Sequence, residues 1–383
     1  VAEIYLDNSA TTRPYPEVID LTARLMSESY GNPSSMHDLG LAAGQVLADA
    51  RRQVAAVLGV KDKEIIFTSG GTEANNMAVI GAARRNRNRG DHLVTTAVEH
   101  SSVLNCFRQL EQEGFRVDYL AVDSRGVINP EALRALVTGK TTLVSIMHVN
   151  NEVGSLQPLA EAGRIIKELS SKAILHVDAV QSFARLPLKV KKWQADLVTC
   201  SGHKIHGPRG VGCLWVKPGV QLEPLLYGGG QEKGLRPGTE NAAAIAGFGL
   251  AAAMTASGQS GKAEQLMAFK LALINRLREK GTNYNLNGPA PEDGAPHILS
   301  LSFPGIKAEV LLHSLEARSI YVSAGSACHS RRPEPSHVLE AIGLEERLLK
   351  SALRFSFSTM NSETEVIRAA DGVAEAVKEL QNI

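Results

Sequence analysis

Three short segments carry residue types that can do chemistry together. Ser201-Gly202-His203-Lys204-Ile205-His206-Gly207-Pro208 places a lysine in a turn bounded by glycine and proline. Its amine can condense with a carbonyl, and Ser201 and His203 beside it are donors suited to phosphate. His176-Val177-Asp178-Ala179-Val180-Gln181 sets an acid at the end of an apolar run. Such an aspartate serves equally as a helix N-cap or as the partner of a protonated ring nitrogen in a cofactor. Ser69-Gly70-Gly71-Thr72-Glu73-Ala74-Asn75-Asn76 joins two glycines to a helix start, where free N–H groups and the Thr72 hydroxyl can gather an anion. Gly228-Gly229-Gly230-Gln231-Glu232 and Arg236-Pro237-Gly238-Thr239 add a flexible, donor-rich loop. Each segment alone is common in folded proteins.

These residues need a frame, and the pattern of the chain supplies one. Strand-like runs at 64–68, 92–96, 117–122, 142–149, 173–178, 196–200 and 211–216 alternate with helical stretches at 73–84, 102–113, 130–136 and 159–169. Leu143-Val144-Ser145-Ile146-Met147 is largely apolar at successive positions, as strands buried on both faces are. Alternation of strand and helix implies crossovers and a mainly parallel sheet. The ligand crevice of such a sheet lies at the C-terminal strand ends, where Asp178 falls. Composition shifts at Thr255-Ala256-Ser257-Gly258-Gln259-Ser260-Gly261-Lys262, which marks a domain boundary. Beyond it a helix over 262–280, a loop over 285–296, strands at 297–303, 320–323 and 352–358, and helices at 307–318 and 363–380 suit a smaller α+β unit. The expected organisation is an arm over 1–15 packed across the cleft, a large domain over 16–256 and a small one over 257–383.

Composition narrows the function. Lys+Arg is 41 and Asp+Glu is 40 in 383 residues, so no basic excess points to nucleic acid or a membrane surface. Four cysteines, at 106, 200, 213 and 328, exclude a disulfide scaffold and show no zinc or redox spacing. There is no H-E-x-x-H, no P-loop and no argument for a metal. Gly247-Phe248-Gly249-Leu250-Ala251-Ala252 mimics a dinucleotide fingerprint but lies inside an Ala-rich helical run, so close helix packing is the better reading. The first residues show neither a basic nor an apolar leader region, and the expectation is a soluble, cytoplasmic enzyme.

Further motifs fall in one order with these: Asp7-Asn8-Ser9-Ala10-Thr11-Thr12, Gly31-Asn32-Pro33-Ser34-Ser35, Glu99-His100, His148-Val149-Asn150-Asn151-Glu152 and Ser323-Ala324-Gly325-Ser326-Ala327-Cys328. Together the set resembles the cysteine desulfurases, in the class V aminotransferase group of fold-type I pyridoxal-phosphate (PLP) enzymes, from Tyr5 to the final helix. The resemblance implies an α/β fold of that type and a homodimer. It implies that Lys204 would hold PLP covalently, Asp178 would pair with the pyridinium nitrogen and Gln181 would donate to the phenolic oxygen. His100 would stack on the ring and move protons. Gly71, Thr72, Ser201 and His203 would hold the phosphate, with Thr239 reaching in from a second subunit. Arg354, in the apolar run Ala352-Leu353-Arg354-Phe355-Ser356, would bind the substrate carboxylate, helped by Asn151.

Cys328 separates this family from its relatives. As implied by the resemblance, its thiolate would take the sulfur of L-cysteine as a persulfide, release L-alanine and pass the sulfur to an acceptor protein for iron–sulfur or other thio-cofactor assembly. Gly325 would be a hinge, and His329, Arg331 and Arg332 would favour the thiolate and meet an acidic acceptor. Two positions depart from the family pattern: Ala324 replaces a serine, and His329-Ser330-Arg331-Arg332 replaces small polar residues. A selenocysteine lyase or an aminotransferase of the same fold stays open on the sequence. A non-catalytic assembly subunit is disfavoured by Lys204.

Overall fold

Runs rich in β-branched and aromatic residues pair into two main sheets, because such side chains fill a pleated, buried surface. The structure, a computed structural model, describes residues 3–324 and 335–381. Gly325, Cys328, His329, Arg331 and Arg332 lie outside the described residues. The first strand is β1 (Ile4–Tyr5). After it, β2 (Ile65–Thr68), β3 (His92–Thr96), β4 (Arg116–Leu120), β5 (Thr141–Ser145), β6 (Ile174–Asp178), β7 (Leu197–Ser201) and β8 (Gly212–Val216) form a seven-stranded sheet in the order β2-β8-β7-β6-β5-β3-β4. β8 is antiparallel to both neighbours, and the other pairings are parallel. β2, β3, β5, β6 and β7 are buried at every position, which accounts for their unbroken apolar runs. The strand expected over 142–149 is assigned only to Ser145, although Ile146 N and His148 N still donate to His176 O and Asp178 O of β6.

Two helices, Pro16–Glu28 and Asp38–Leu58, were not anticipated from the sequence. In the second, Ala43, Leu47, Ala50, Val54 and Leu58 are buried at helical spacing, and Gly59 ends it with φ 68°. Two of these five are alanine, so the apolar contrast of the stripe is weak. It packs on the helix Ala242–Ala256. A Cβ on Gly249 would come within 2.7 Å of Ala50 Cα, and one on Gly247 within 2.7 Å of Pro208 Cγ. The glycines that mimic a dinucleotide fingerprint therefore permit close helix contact.

The second sheet takes β9 (Asn285–Asn287), β10 (Ile298–Ser302), β12 (Ser323–Ala324) and β13 (Ala352–Ser356) in the antiparallel order β12-β13-β10-β9. Its apolar face is covered by the helices Gln259–Glu279 and Glu363–Gln381, with Leu273, Leu299, Phe355 and Val373 in one buried cluster. β9 falls where a loop was expected. The run expected as one strand over 320–323 is split, because β11 (Ile320–Tyr321) pairs in parallel with β1 while β12 pairs with β13. From β1 the chain continues to a bridge between Asp7 and Ser356, then to Thr12, whose N and Oγ1 both donate to His203 O at 2.9 Å. Among the described residues no helix is long and apolar enough to cross a membrane.

Candidate active site

The parallel strands deliver their C-terminal ends to one cavity of about 440 Å³. β2 leads into Gly71 and Thr72, β3 into His100, and β5 into Met147, Asn151 and Glu152. β6 ends on Asp178, and β7 runs into Ser201, His203 and Lys204. The second sheet contributes Arg354, and the N-terminal segment contributes Ser9 and Ala10. A second cavity, about 410 Å³ and lined by Arg85, Arg89, Lys167 and Lys172, holds none of these groups.

Lys204 sits in the single 3-10 turn Gly202–Lys204 after β7, so its side chain starts from a fixed strand end. Its Nζ donates to Ser9 O at 2.5 Å and Ala10 O at 2.8 Å. Asp178 Oδ1 accepts from Val180 N at 2.9 Å, and Oδ2 accepts from Asn75 Nδ2 at 2.8 Å. The aspartate thus caps the turn that follows it and also lines the cavity. Helix Gly71–Arg85 starts against β7: a Cβ on Gly71 would lie 2.9 Å from Val180 Cγ2 and 3.5 Å from Ser201 Cβ. The first-turn N–H groups have no intrahelical acceptor, and buried Ser201 Oγ has no partner among the described residues. His203 Nδ1 lies 3.3 Å from Thr11 Oγ1, and burial with the charges of Lys204 and Arg209 pushes it down to about 4. A hydroxyl and a helix start aimed at one point suit a phosphate, and an amine and a carboxylate share the same cavity. That donor set fits an aldehyde cofactor with a phosphate and a basic ring nitrogen.

The other expected residues are placed less simply. Gln181 Nε2, expected to reach the cofactor, donates to Ser9 O at 3.1 Å, while its buried Oε1 has no partner among the described residues. Arg354, expected to await a substrate carboxylate, already holds an internal one: Nη2 donates to Asp7 Oδ1 at 2.8 Å and Nη1 to Asn151 O at 2.9 Å. Its buried Nε has no partner among the described residues, so that N–H is still available to a ligand. Asn151 meets the guanidinium through its backbone carbonyl rather than its amide. His100 caps the helix Ser101–Gln112, and burial, with Lys204 and His337 nearby, holds its imidazole below the usual range. Thr239 is exposed and does not line this cavity. Cys328 lies outside the described residues, and at Pro335, Ser336 and His337 the chain lines the cavity again.

Two carboxyls went unassigned from the sequence. Glu99 is fully buried; Oε1 accepts from Thr96 Oγ1 at 2.9 Å and Met147 N at 2.7 Å, and Oε2 has no partner among the described residues. Burial and the charge of Asp178 push it up to about 8. Glu152 lines the cavity, accepts from Ser336 Oγ at 2.5 Å and is pushed up to about 7 by burial. Both stand in quoted motifs, beside His100 and Asn151, which was the signal available.

Comparison with known proteins agrees with this geometry. The model of the family "Aminotransferase class-V" matches residues 4–368. The chain is 40% identical to the cysteine desulfurase IscS of Methanosarcina thermophila over 99% of this chain and 93% of that one. It is 42% identical to a cysteine desulfurase of a Nostoc species, over 99% and 94%. Among solved structures it matches a NifS-like protein with a TM-score of 0.93 at 38% identity, covering 99% and 100%. It matches the apo structure of the cysteine desulfurase from Thermococcus onnurineus NA1 with a TM-score of 0.88 at 26% identity, covering 98% and 95%. Likeness that runs the length of both partners, in sequence and in fold, shows that this chain belongs to the aminotransferase class-V family and, within it, to the cysteine desulfurases, which use pyridoxal phosphate.

Proposed function

We propose that the chain converts L-cysteine to L-alanine and takes the sulfur onto Cys328 as a persulfide. The observation that carries this is the convergence on one cavity at the strand ends of the Lys204 amine, the Asp178 carboxylate and the Ser201 hydroxyl, which has no partner among the described residues. Bound PLP supplies an electron sink for negative charge at the substrate Cα. Lys204 holds the cofactor and, once released by the substrate amine, moves the Cα proton. Asp178, fixed by two N–H donors, faces the ring nitrogen. Ser201, Gly71, Thr72 and His203 would hold the phosphate, and His100 and Gln181, which line the same cavity, would contact the ring. Arg354 binds the substrate carboxylate through a donor it does not use on Asp7, with Asn151 fixing its other end. The Cys328 thiolate attacks the substrate sulfur; an S–S bond forms, the C–S bond breaks and its electron pair is protonated as alanine leaves. The persulfide then passes to an acceptor protein, for iron–sulfur or other thio-cofactor assembly.

The active form is proposed to be a homodimer in which Thr239 completes the partner's site. Its exposure, away from its own cavity, supports this, as do exposed Met26, Tyr30, Met36 and Tyr227. The test of the reaction is to supply L-cysteine and PLP and measure alanine and sulfide. Borohydride reduction and peptide mapping should place the pyridoxyl group on Lys204. Cys328→Ala should still bind L-cysteine but release almost no sulfide. Label on another lysine, or sulfide release undiminished without Cys328, would overturn the reading.

A further inference from the structure

Four hydrogen bonds connect His100 to Asp178 through two residues that have no role so far. Asn75 Nδ2 donates to Asp178 Oδ2 at 2.8 Å and to Ser102 Oγ at 2.8 Å. Ser102 Oγ lies 2.8 Å from His100 Nδ1, and Ser102 N donates to the same Nδ1 at 3.1 Å. Asn75 and Ser102 are both buried. The two ends of this chain set the direction of each proton within it. At one end a carboxylate accepts, so Asn75 must turn its NH2 toward it, with one hydrogen on Asp178 and one on Ser102. At the other end a backbone N–H can only donate, so His100 Nδ1 must accept. Because Nδ1 accepts, the Ser102 hydroxyl, which itself accepts from Asn75, must give its one hydrogen to Nδ1. A neutral imidazole that accepts at Nδ1 carries its proton on Nε2.

We propose that Asn75 and Ser102 are positioning residues that fix His100 as the neutral Nε2–H tautomer and keep it from becoming an imidazolium. A second proton would have to enter on Nδ1, between two donors, and would displace both. Among the described residues the charged or titratable groups that face His100 are Asp178 from the end of β6, His203 and Lys204 from the turn after β7, and His337 from the helix His337–Ala341. Burial, Lys204 and His337 work with the relay, and Asp178 opposes it. Held this way, His100 has no lone pair on Nε2 to take up a proton and no charge with which to deliver one. Proton transfer at Cα then falls to Lys204, and His100 acts as a neutral donor. This inference rests on the proposed place of His100 over the cofactor, but its test reads the histidine itself.

The test is two-bond 15N–1H NMR of the full chain with 15N-labelled histidine, with and without PLP, across a pH series. His100 is assigned by the signals missing in His100→Gln. The expected result is the Nε2–H pattern at neutral and alkaline pH in both forms. Ser102→Ala keeps the backbone donor but loses the hydroxyl, and should raise the protonated fraction of His100 on the acid side roughly five-fold, the worth of one hydrogen bond. Asn75→Ala, the second and independent probe, should shift it the same way by less. Ser102→Thr should restore the wild-type titration. An Nδ1–H or imidazolium pattern at neutral pH in the wild type would overturn the proposal. So would Ser102→Ala and Asn75→Ala both titrating like the wild type. A protein with the expected tautomer that made no alanine from L-cysteine would sink the desulfurase reading and leave this one standing.

Discussion

Replacing Glu99 by glutamine should remove a pH-dependent weakness from the fold. Glu99 has no exposed surface, and burial together with Asp178 raises it from 4.5 to about 8. An acid raised in this way supports the folded state only while protonated. Its contribution is complete below 4.5 and is lost as pH climbs through about 8. At ~1.4 kcal/mol per pH unit across that interval, ionised Glu99 costs about 5 kcal/mol. In Glu99→Gln the amide oxygen can keep the bonds from Thr96 Oγ1 and Met147 N, and nothing ionises. Urea unfolding of both cofactor-free proteins, from about pH 5 to about pH 9, gives the difference in stability directly. The two should be nearly equal at the acid end, because the acid O–H and the amide NH2 meet the same surroundings. The difference should then swing toward the variant by about 4 kcal/mol over this range, most of it before pH 8. Parallel curves would refute the reasoning, since they would mean that Glu99 does not titrate between the folded and unfolded states in this range.

Arg354→Leu removes a charge-assisted bond of about 1.5–3 kcal/mol, and kcat/KM for L-cysteine should fall roughly 10- to 150-fold. Cysteamine, which lacks the carboxylate, should be spared in the same steady-state assay. Lys204→Ala and Thr239→Tyr, each inactive alone, should partly restore activity when mixed as heterodimers, and sedimentation at assay concentration should show no active monomer. Arg51 holds Glu232, whose side chain is 2% exposed and also accepts from Phe67 N at 2.9 Å. Arg51→Met leaves that carboxylate without its cation and should cost about 3–5 kcal/mol in urea unfolding, most of it recovered by adding Glu232→Gln.

The strands of the large sheet were readable because burial on both faces writes itself as continuous apolar sequence. Lys204 and Asp178 were readable because each ends such a run. The helix Asp38–Leu58 was not, since its buried stripe relies on Ala43 and Ala50, which signal inside and outside alike. The split of 320–323 into two strands depends on which partner each half finds, and no local pattern encodes that. Asn75 and Ser102 look like ordinary helix residues until the fold sets Asn75 against Asp178, 103 positions away. Arg354 was singled out correctly as a buried charge in an apolar strand. Its partner, Asp7, is 347 positions away, and only the fold brings the two together.

The residues at 7–10 meet partners far along the chain: Asn8 Nδ2 bonds Ser356 O, 348 positions on, and Ser9 and Ala10 receive the amine of Lys204, 195 and 194 positions on. During synthesis Ser9 cannot meet Lys204 until 195 further positions have been made, nor Asn8 meet Ser356 until 348 have. The entropy of closing so long a loop grows only with the logarithm of its length, but contacts this distant form slowly. The sheet can therefore be complete while the lysine is still unseated. Maturation of the site becomes a timing event separate from formation of the core, and PLP added during refolding should be captured at the pace of the slowest phase. A nascent chain released short of residue 356 would hold the whole seven-stranded sheet and Lys204, but not the contact that ties Asn8 to the second sheet.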